Sequence, residues 1–135
     1  MTAATRAAVQ HYLDALNDHD ADAIAACVTE DFENEHTSAL GHGLQGREAY
    51  RARLTGFLAE FADLHYDVEE FVVEGDRAAV AYRMTFDWLG DPPQRHPVAI
   101  RGMFRFRVHE GQIAHRVDYW DSADFRRQVA PVTSP

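Results

Sequence analysis

The chain has 135 residues, 22 acidic against 13 basic, with a formal net charge of −9 and a pI near 5.2. Neutralising phosphates needs a basic face, so this balance argues against nucleic acid and anionic membranes as partners. Apolar residues make up 46% and charged residues 26%, as in a single globular domain, and fifteen aromatic residues are enough to line a cavity.

The first segment places Val9, Tyr12, Leu13 and Leu16 at i, i+3, i+4 and i+7, which predicts an amphipathic helix of about four turns. Asn17-Asp18-His19-Asp20 breaks it, and Asp20 is the expected N-cap of a shorter second helix bearing Ile24, Ala25 and Val28. Cys27, the single cysteine, lies in this apolar run and is expected to be buried and inert. It permits no intramolecular disulfide and fits a reducing compartment. Thr29-Glu30-Asp31 is expected to end the helix and lead into a short strand, Phe32 to Thr37. Strand alternation there puts Phe32, Asn34 and His36 on one face, with Glu33 and Glu35 on the other.

Gly41, Gly43 and Gly46 mark a loop, and a third helix follows with Tyr50, Leu54, Phe57, Leu58 and Phe61 at helical spacing. Then the period changes. Leu64–Val73, Ala78–Leu89, Pro97–Val108 and Gln112–Trp120 read as strands, joined by turns at Glu74-Gly75-Asp76, Gly90-Asp91-Pro92-Pro93 and Glu110-Gly111. Ser122 is the expected cap of a last short helix, Ala123–Val129, and residues 130–135 are expected to form a flexible tail. Helices first and hairpins later give an α+β architecture: a curved antiparallel sheet with helices packed on its concave face, a place where ligand pockets form. The whole chain, 1–135, reads as one domain with its core at about 5–128. Neither a signal-peptide h-region nor a membrane span is apparent, so a cytoplasmic location is expected.

Three stretches carry a family resemblance: Val9–Asn17 with Asp20–Ile24, Gly43–Tyr50, and Gly111–Asp121. Together they resemble the nuclear transport factor 2-like superfamily, and within it the SnoaL-like polyketide cyclases and ketosteroid isomerases. The resemblance implies a cone-shaped, cystatin-like α+β barrel and a homodimer packed through the sheet. Tyr66, Val68, Tyr82 and Arg105 are of types that suit such a face. It also implies acid–base chemistry on a small apolar, oxygenated molecule with a carbonyl group, of the cyclase or isomerase type. A non-catalytic binding or association module on the same cone is the alternative, and an epoxide hydrolase like the limonene-epoxide enzymes is a third reading.

Tyr12 matches the position where ketosteroid isomerases place the tyrosine that hydrogen-bonds a developing enolate. His36 falls where they carry the general base, and an imidazole can take a proton near neutral pH. Asp118, in an otherwise apolar or aromatic stretch, resembles the water-activating aspartate of the epoxide hydrolases, and its structural alternative is an ion pair with Arg116. Two departures stand out. The second oxyanion acid of the isomerases falls at or beside Gly102, and the Arg-x-Asp triplet of the hydrolases falls near Arg83-Met84-Thr85.

Phe32, Phe57, Phe61, Met84, Phe86, Phe104 and Trp120 are expected to line the pocket. No cofactor is expected. No metal is expected either: His36 and His42 are the only close pair near the mouth, and His65, His96, His109 and His115 read as exposed. Arg101, Arg105 and Arg107 form a stripe read as a solvated strand face or interface ion pairs.

Overall fold

The computed structural model describes residues 2–130, so the expected tail lies outside the described residues beyond Ala130. The apolar stripe of the first segment is the buried face of helix α1 (Thr2–Asn17), which lies across the later strands. Both ends of α1 are pinned to strand β3 (Phe61–Glu74) and the turn after it. The Thr5 hydroxyl donates to the Gly75 carbonyl, and the Asn17 amide exchanges two hydrogen bonds with the Tyr66 backbone.

Asp20 caps helix α2 (Ala21–Ala26), its carboxylate accepting from the Ala23 N–H. The helix is shorter than its apolar run suggests. Val28 and Thr29 are β-branched and buried, and they open strand β1 (Val28–His36) instead of continuing the helix or turning the chain. The Ile113 N–H donating to the Cys27 carbonyl marks the changeover. Strand β2 (Leu44–Gln45) is a two-residue partner of β1, and helix α3 (Arg47–Glu60) follows Gly46, whose φ of +98° suits glycine.

Strands β4 (Arg77–Trp88), β5 (His96–His109) and β6 (Gln112–Trp120) complete the meander that begins with β3. Helix α4 (Ser122–Val129) is capped by Asp121, whose carboxylate accepts from the Ala123 and Asp124 N–H groups. Ser122, the expected cap, is its first residue.

The six strands run in the order β2-β1-β6-β5-β4-β3. All neighbours pair antiparallel except β1 and β6, which are parallel, so the sheet is mixed where the sequence reads as wholly antiparallel. Register shifts in β3–β4, β5–β6 and β1–β6 bend the ladder, and the sheet curves around its contents without closing. This is the α+β cone that the element order implies. Among the described residues no helix is long and apolar enough to cross a membrane.

Candidate active site

A cavity of about 650 Å³ opens on the concave face, between the sheet, α3, α4 and the loop from Leu40 to His42. Its body is apolar: Leu54, Phe57, Phe61, Met84, Phe86, Trp88, Ile100 and Phe125 line it. Its floor is polar and lies on the parallel seam. Residues two apart on a strand share a face, so β1 sends Asn34 and His36 inward while β6 sends Arg116, Asp118 and Trp120 inward. The register sets Asn34 opposite Arg116 and His36 opposite Asp118. Thr37 locks the end of the seam, its N–H and hydroxyl both donating to the Asp118 carbonyl.

Arg116 is 6% exposed, and every part of its guanidinium is engaged. Nε donates to Asn34 Oδ1 at 2.9 Å, and Nη1 donates to the Tyr12 hydroxyl at 3.0 Å. Nη2 lies 3.5 Å from His36 Nε2, and the guanidinium packs 5.0 Å from the Phe104 ring centre. A buried cation needs a counter-charge, and Asp118 on the same face of β6 provides it.

The Asp118 carboxylate accepts a 2.6 Å hydrogen bond from the Tyr82 hydroxyl and lies 3.6 Å from His36 Nδ1. Burial pushes its pKa above the ordinary carboxylate range, and Arg116 and Tyr82 only partly oppose this. His36 moves the other way, down to about 3, because burial and then Arg116 disfavour an imidazolium. Trp120 Nε1 lies 3.4 Å from Nδ1 and Arg116 Nη2 lies 3.5 Å from Nε2, and a neutral imidazole accepts at one of these two nitrogens. The floor therefore holds one cation, one carboxylate and a neutral imidazole.

Residues 9–116 match the SnoaL-like domain family. The chain belongs to that family. No curated protein matches it in sequence. Among solved structures, a candidate SnoaL-like polyketide cyclase from Shewanella denitrificans superposes with a TM-score of 0.84 at 16% identity, over 93% of this chain and 96% of that one. A candidate polyketide cyclase from Pseudomonas putida gives 0.79 at 23% identity, over 96% and 99%. A candidate ketosteroid isomerase from Kribbella flavida gives 0.70 at 24% identity, over 99% and 83%. At these identities the likeness shows the fold.

Within this SnoaL-like cone, His36 and Asp118 come together on the floor. Tyr12 does not reach the cavity. It is fully buried, and Tyr50 of α3 stands between it and the open space, with the two hydroxyls 2.5 Å apart. Phe57, Phe61, Met84, Phe86 and Trp120 line the cavity. Phe32 and Phe104 do not: both are fully buried, Phe32 packed on the Tyr50 ring and Phe104 between Tyr82 and Phe106.

Tyr66 and Tyr82 also face inward, since the alternation that buries Met84 and Phe86 also buries Tyr82. Of the four residues suited to the outer face only Arg105 is exposed there; Val68 is exposed, but it pairs with Tyr82 and shares its face. Arg83 points outward, away from the cavity, so β4 brings no arginine to the site. Gly102 has a steric role: it sits opposite Tyr82, and a Cβ there would run into the Tyr82 hydroxyl that reaches Asp118. The Tyr82 ring thus fills the space beside Gly102.

Tyr50, Tyr82, Asn34 and Arg116 are the site residues that spacing alone does not assign. Arg116 carries the clearest signal. It lies two residues before Asp118 on one strand and must share its face. His115, expected to be exposed, is half-buried on the opposite face of the seam, its Nε2 3.2 Å from Glu35. His96 is half-buried as well, against Trp88. Cys27 is buried, and burial raises its thiol pKa while Sγ donates to the Ala23 carbonyl.

Proposed function

We propose that this SnoaL-like protein is an acid–base enzyme acting on a small, apolar, carbonyl-containing molecule, with Asp118 as the base. The observation that carries the reading is the Asp118 carboxylate itself. It lines an apolar cavity, is oriented by the Tyr82 hydroxyl, and is raised in pKa by burial. Such a group is a stronger base than an ordinary carboxylate. His36 is the poorer base, because a pKa lowered to about 3 leaves little affinity for a proton. Its role is to pack beside Asp118 and Trp120, with Nδ1 facing both.

In the reaction, Asp118 takes a proton from the carbon next to the carbonyl. The C–H electron pair forms a C=C bond, and the carbonyl π pair moves onto oxygen. Return of the proton at another carbon of a conjugated skeleton gives an isomer. When the enolate carbon instead attacks a second carbonyl, the C=C pair forms the new C–C bond, the first C=O re-forms, and the second oxygen takes the proton back from Asp118, closing a ring. The aromatic walls exclude water and suit a flat or polycyclic skeleton.

The test uses 2-tetralone, a bicyclic ketone with acidic α-hydrogens, and follows their exchange for deuterium by NMR. The protein should accelerate exchange, and Asp118→Asn should slow it by about 10²–10⁴-fold. Binding of 2-tetralone with no accelerated exchange would reject the enzyme reading and leave a ligand-binding module.

The chain also acts, in this proposal, as a homodimer through the outer face of the sheet. Val72, Met103 and Tyr119 are exposed apolar side chains there, with Met103 and Tyr119 directly opposite each other. Sedimentation should give a dimer, and Tyr119→Asp should shift it to monomer. A wild-type monomer at working concentration would overturn the assignment.

A further inference from the structure

Building on the acid–base reading, we propose that Tyr50 is the catalytic donor that binds the substrate oxygen, and that Arg116 drives it through Tyr12 as a one-way hydrogen-bond relay.

The direction follows from counting protons. A guanidinium has five N–H donors and no acceptor, so Arg116 Nη1 donates and the Tyr12 oxygen accepts. Tyr12 is fully buried and its single proton needs an acceptor. Among the described residues the acceptor within reach is the Tyr50 oxygen, 2.5 Å away. Tyr12 therefore donates to Tyr50.

The pKa directions agree. Burial raises both phenols first and Arg116 opposes it in both; their shared hydrogen bond, a smaller effect, pushes Tyr12 up and pulls Tyr50 down, as it does for a donor and its acceptor respectively. Tyr50, having accepted, must send its own proton elsewhere. It lines the cavity, and a substrate oxygen there completes the chain.

The relay suits the charge movement of the reaction. Before proton transfer the floor holds the Arg116 cation and the Asp118 anion. Afterwards Asp118 is neutral and the negative charge sits on the enolate oxygen, at the end of a chain leading back to Arg116. The buried site carries the same net charge throughout. Each hydrogen bond in such a chain polarises the next, which strengthens the donor as the oxygen charges. Tyr12 and Arg116 are positioning residues, acting only through Tyr50.

The test separates binding of an oxyanion from catalysis. In an Asp118→Asn background, which imitates the carboxyl after it has taken the proton, 2-naphthol serves as a bicyclic mimic of the enolate. Its ionised and neutral forms differ in fluorescence, so the same titration gives affinity and the ionised fraction bound. Adding Tyr50→Phe should weaken binding about 10- to 100-fold and reduce the ionised fraction. Adding Tyr12→Phe should weaken it less than tenfold. In the Tyr50→Phe background, Tyr12→Phe should have no effect, because the relay has lost its end.

In the otherwise wild-type protein, Tyr50→Phe should slow 2-tetralone exchange by about 10²-fold. Tyr12→Phe matching or exceeding Tyr50→Phe, independent losses that multiply in the double variant, or no naphthol binding at all would each overturn the relay. Tyr50-dependent naphthol binding without any tetralone exchange would keep the relay and reject the acid–base reading.

Discussion

The cavity has two regions built on different rules. The wall, from β3 to β5, is an antiparallel meander whose inner side chains are apolar or aromatic and whose partners lie a short hairpin away in sequence. The floor, on β1 and β6, is a parallel seam whose inner side chains are an amide, an imidazole, a guanidinium and a carboxylate, drawn from opposite ends of the chain. The wall can exchange one apolar group for another at modest cost. On the floor each polar group is satisfied by another, so a single loss leaves its partners stranded.

The largest contrast comes from pairing one deletion in each region. Arg116→Met leaves Asp118, Asn34 and the Tyr12 hydroxyl without their buried partner and should cost about 3–5 kcal/mol in chemical denaturation. Phe104→Ala, in fully buried aromatic packing, should cost about the same, through lost apolar burial and the cavity left behind. Their neighbours should tell them apart. Asp118→Asn removes the burial cost of the carboxylate but also the counter-charge of Arg116, so its loss at neutral pH should be smaller than that of Arg116→Met. A loss as large as that of Arg116→Met would show that the attraction between Arg116 and Asp118 outweighs desolvation.

Gly102→Ala lies where wall meets floor. The added methyl must displace the Tyr82 hydroxyl. A loss of about 1–3 kcal/mol is expected, with slower tetralone exchange as Asp118 loses its orienting donor.

Proton linkage separates the two floor groups by sign. In Asp118→Asn, the unfolded His36 binds a proton below about 6.5 while the folded one stays neutral to about 3. Stability should therefore fall as pH drops through that window, by up to about 1.4 kcal/mol per pH unit. In His36→Asn the raised Asp118 remains. The unfolded carboxyl ionises first, so stability should fall as pH rises from the ordinary carboxylate range to the raised folded value. Slopes of the same sign in both variants would refute the assignment. Smallest of all, Phe57→Ala, half-buried on α3 where that helix lines the cavity, should cost about 1 kcal/mol while weakening 2-tetralone binding severalfold, which titration calorimetry would read.

The same contrast explains what the sequence made legible. The wall strands announce themselves by alternation, which places Met84 and Phe86; helical spacing places Phe57, whereas Phe61, read as helical, is the first residue of β3. On the floor, alternation within β1 places Asn34 and His36 together, and alternation within β6 places Arg116 with Asp118. Their meeting depends on the parallel register, which no local pattern encodes. Tyr12 shows the limit in depth: helical spacing says that it turns inward but not that Tyr50 intervenes. Tyr82 and Gly102 show it in breadth, because a glycine that makes room for a phenol is visible only once β4 and β5 are side by side.

The seam also sets when the site comes into being. Asn34 and Arg116 are 82 positions apart, and parallel strands cannot be joined by a tight turn, so β1 must find β6 by closing a loop over most of the chain. The hairpins of the meander close over a few residues and should form earlier. A chain with its meander made and its seam open would show most of its sheet by circular dichroism, yet have no floor. Activity would then report the last contact in folding to form and the first to open, and would be lost before the bulk of the sheet melts.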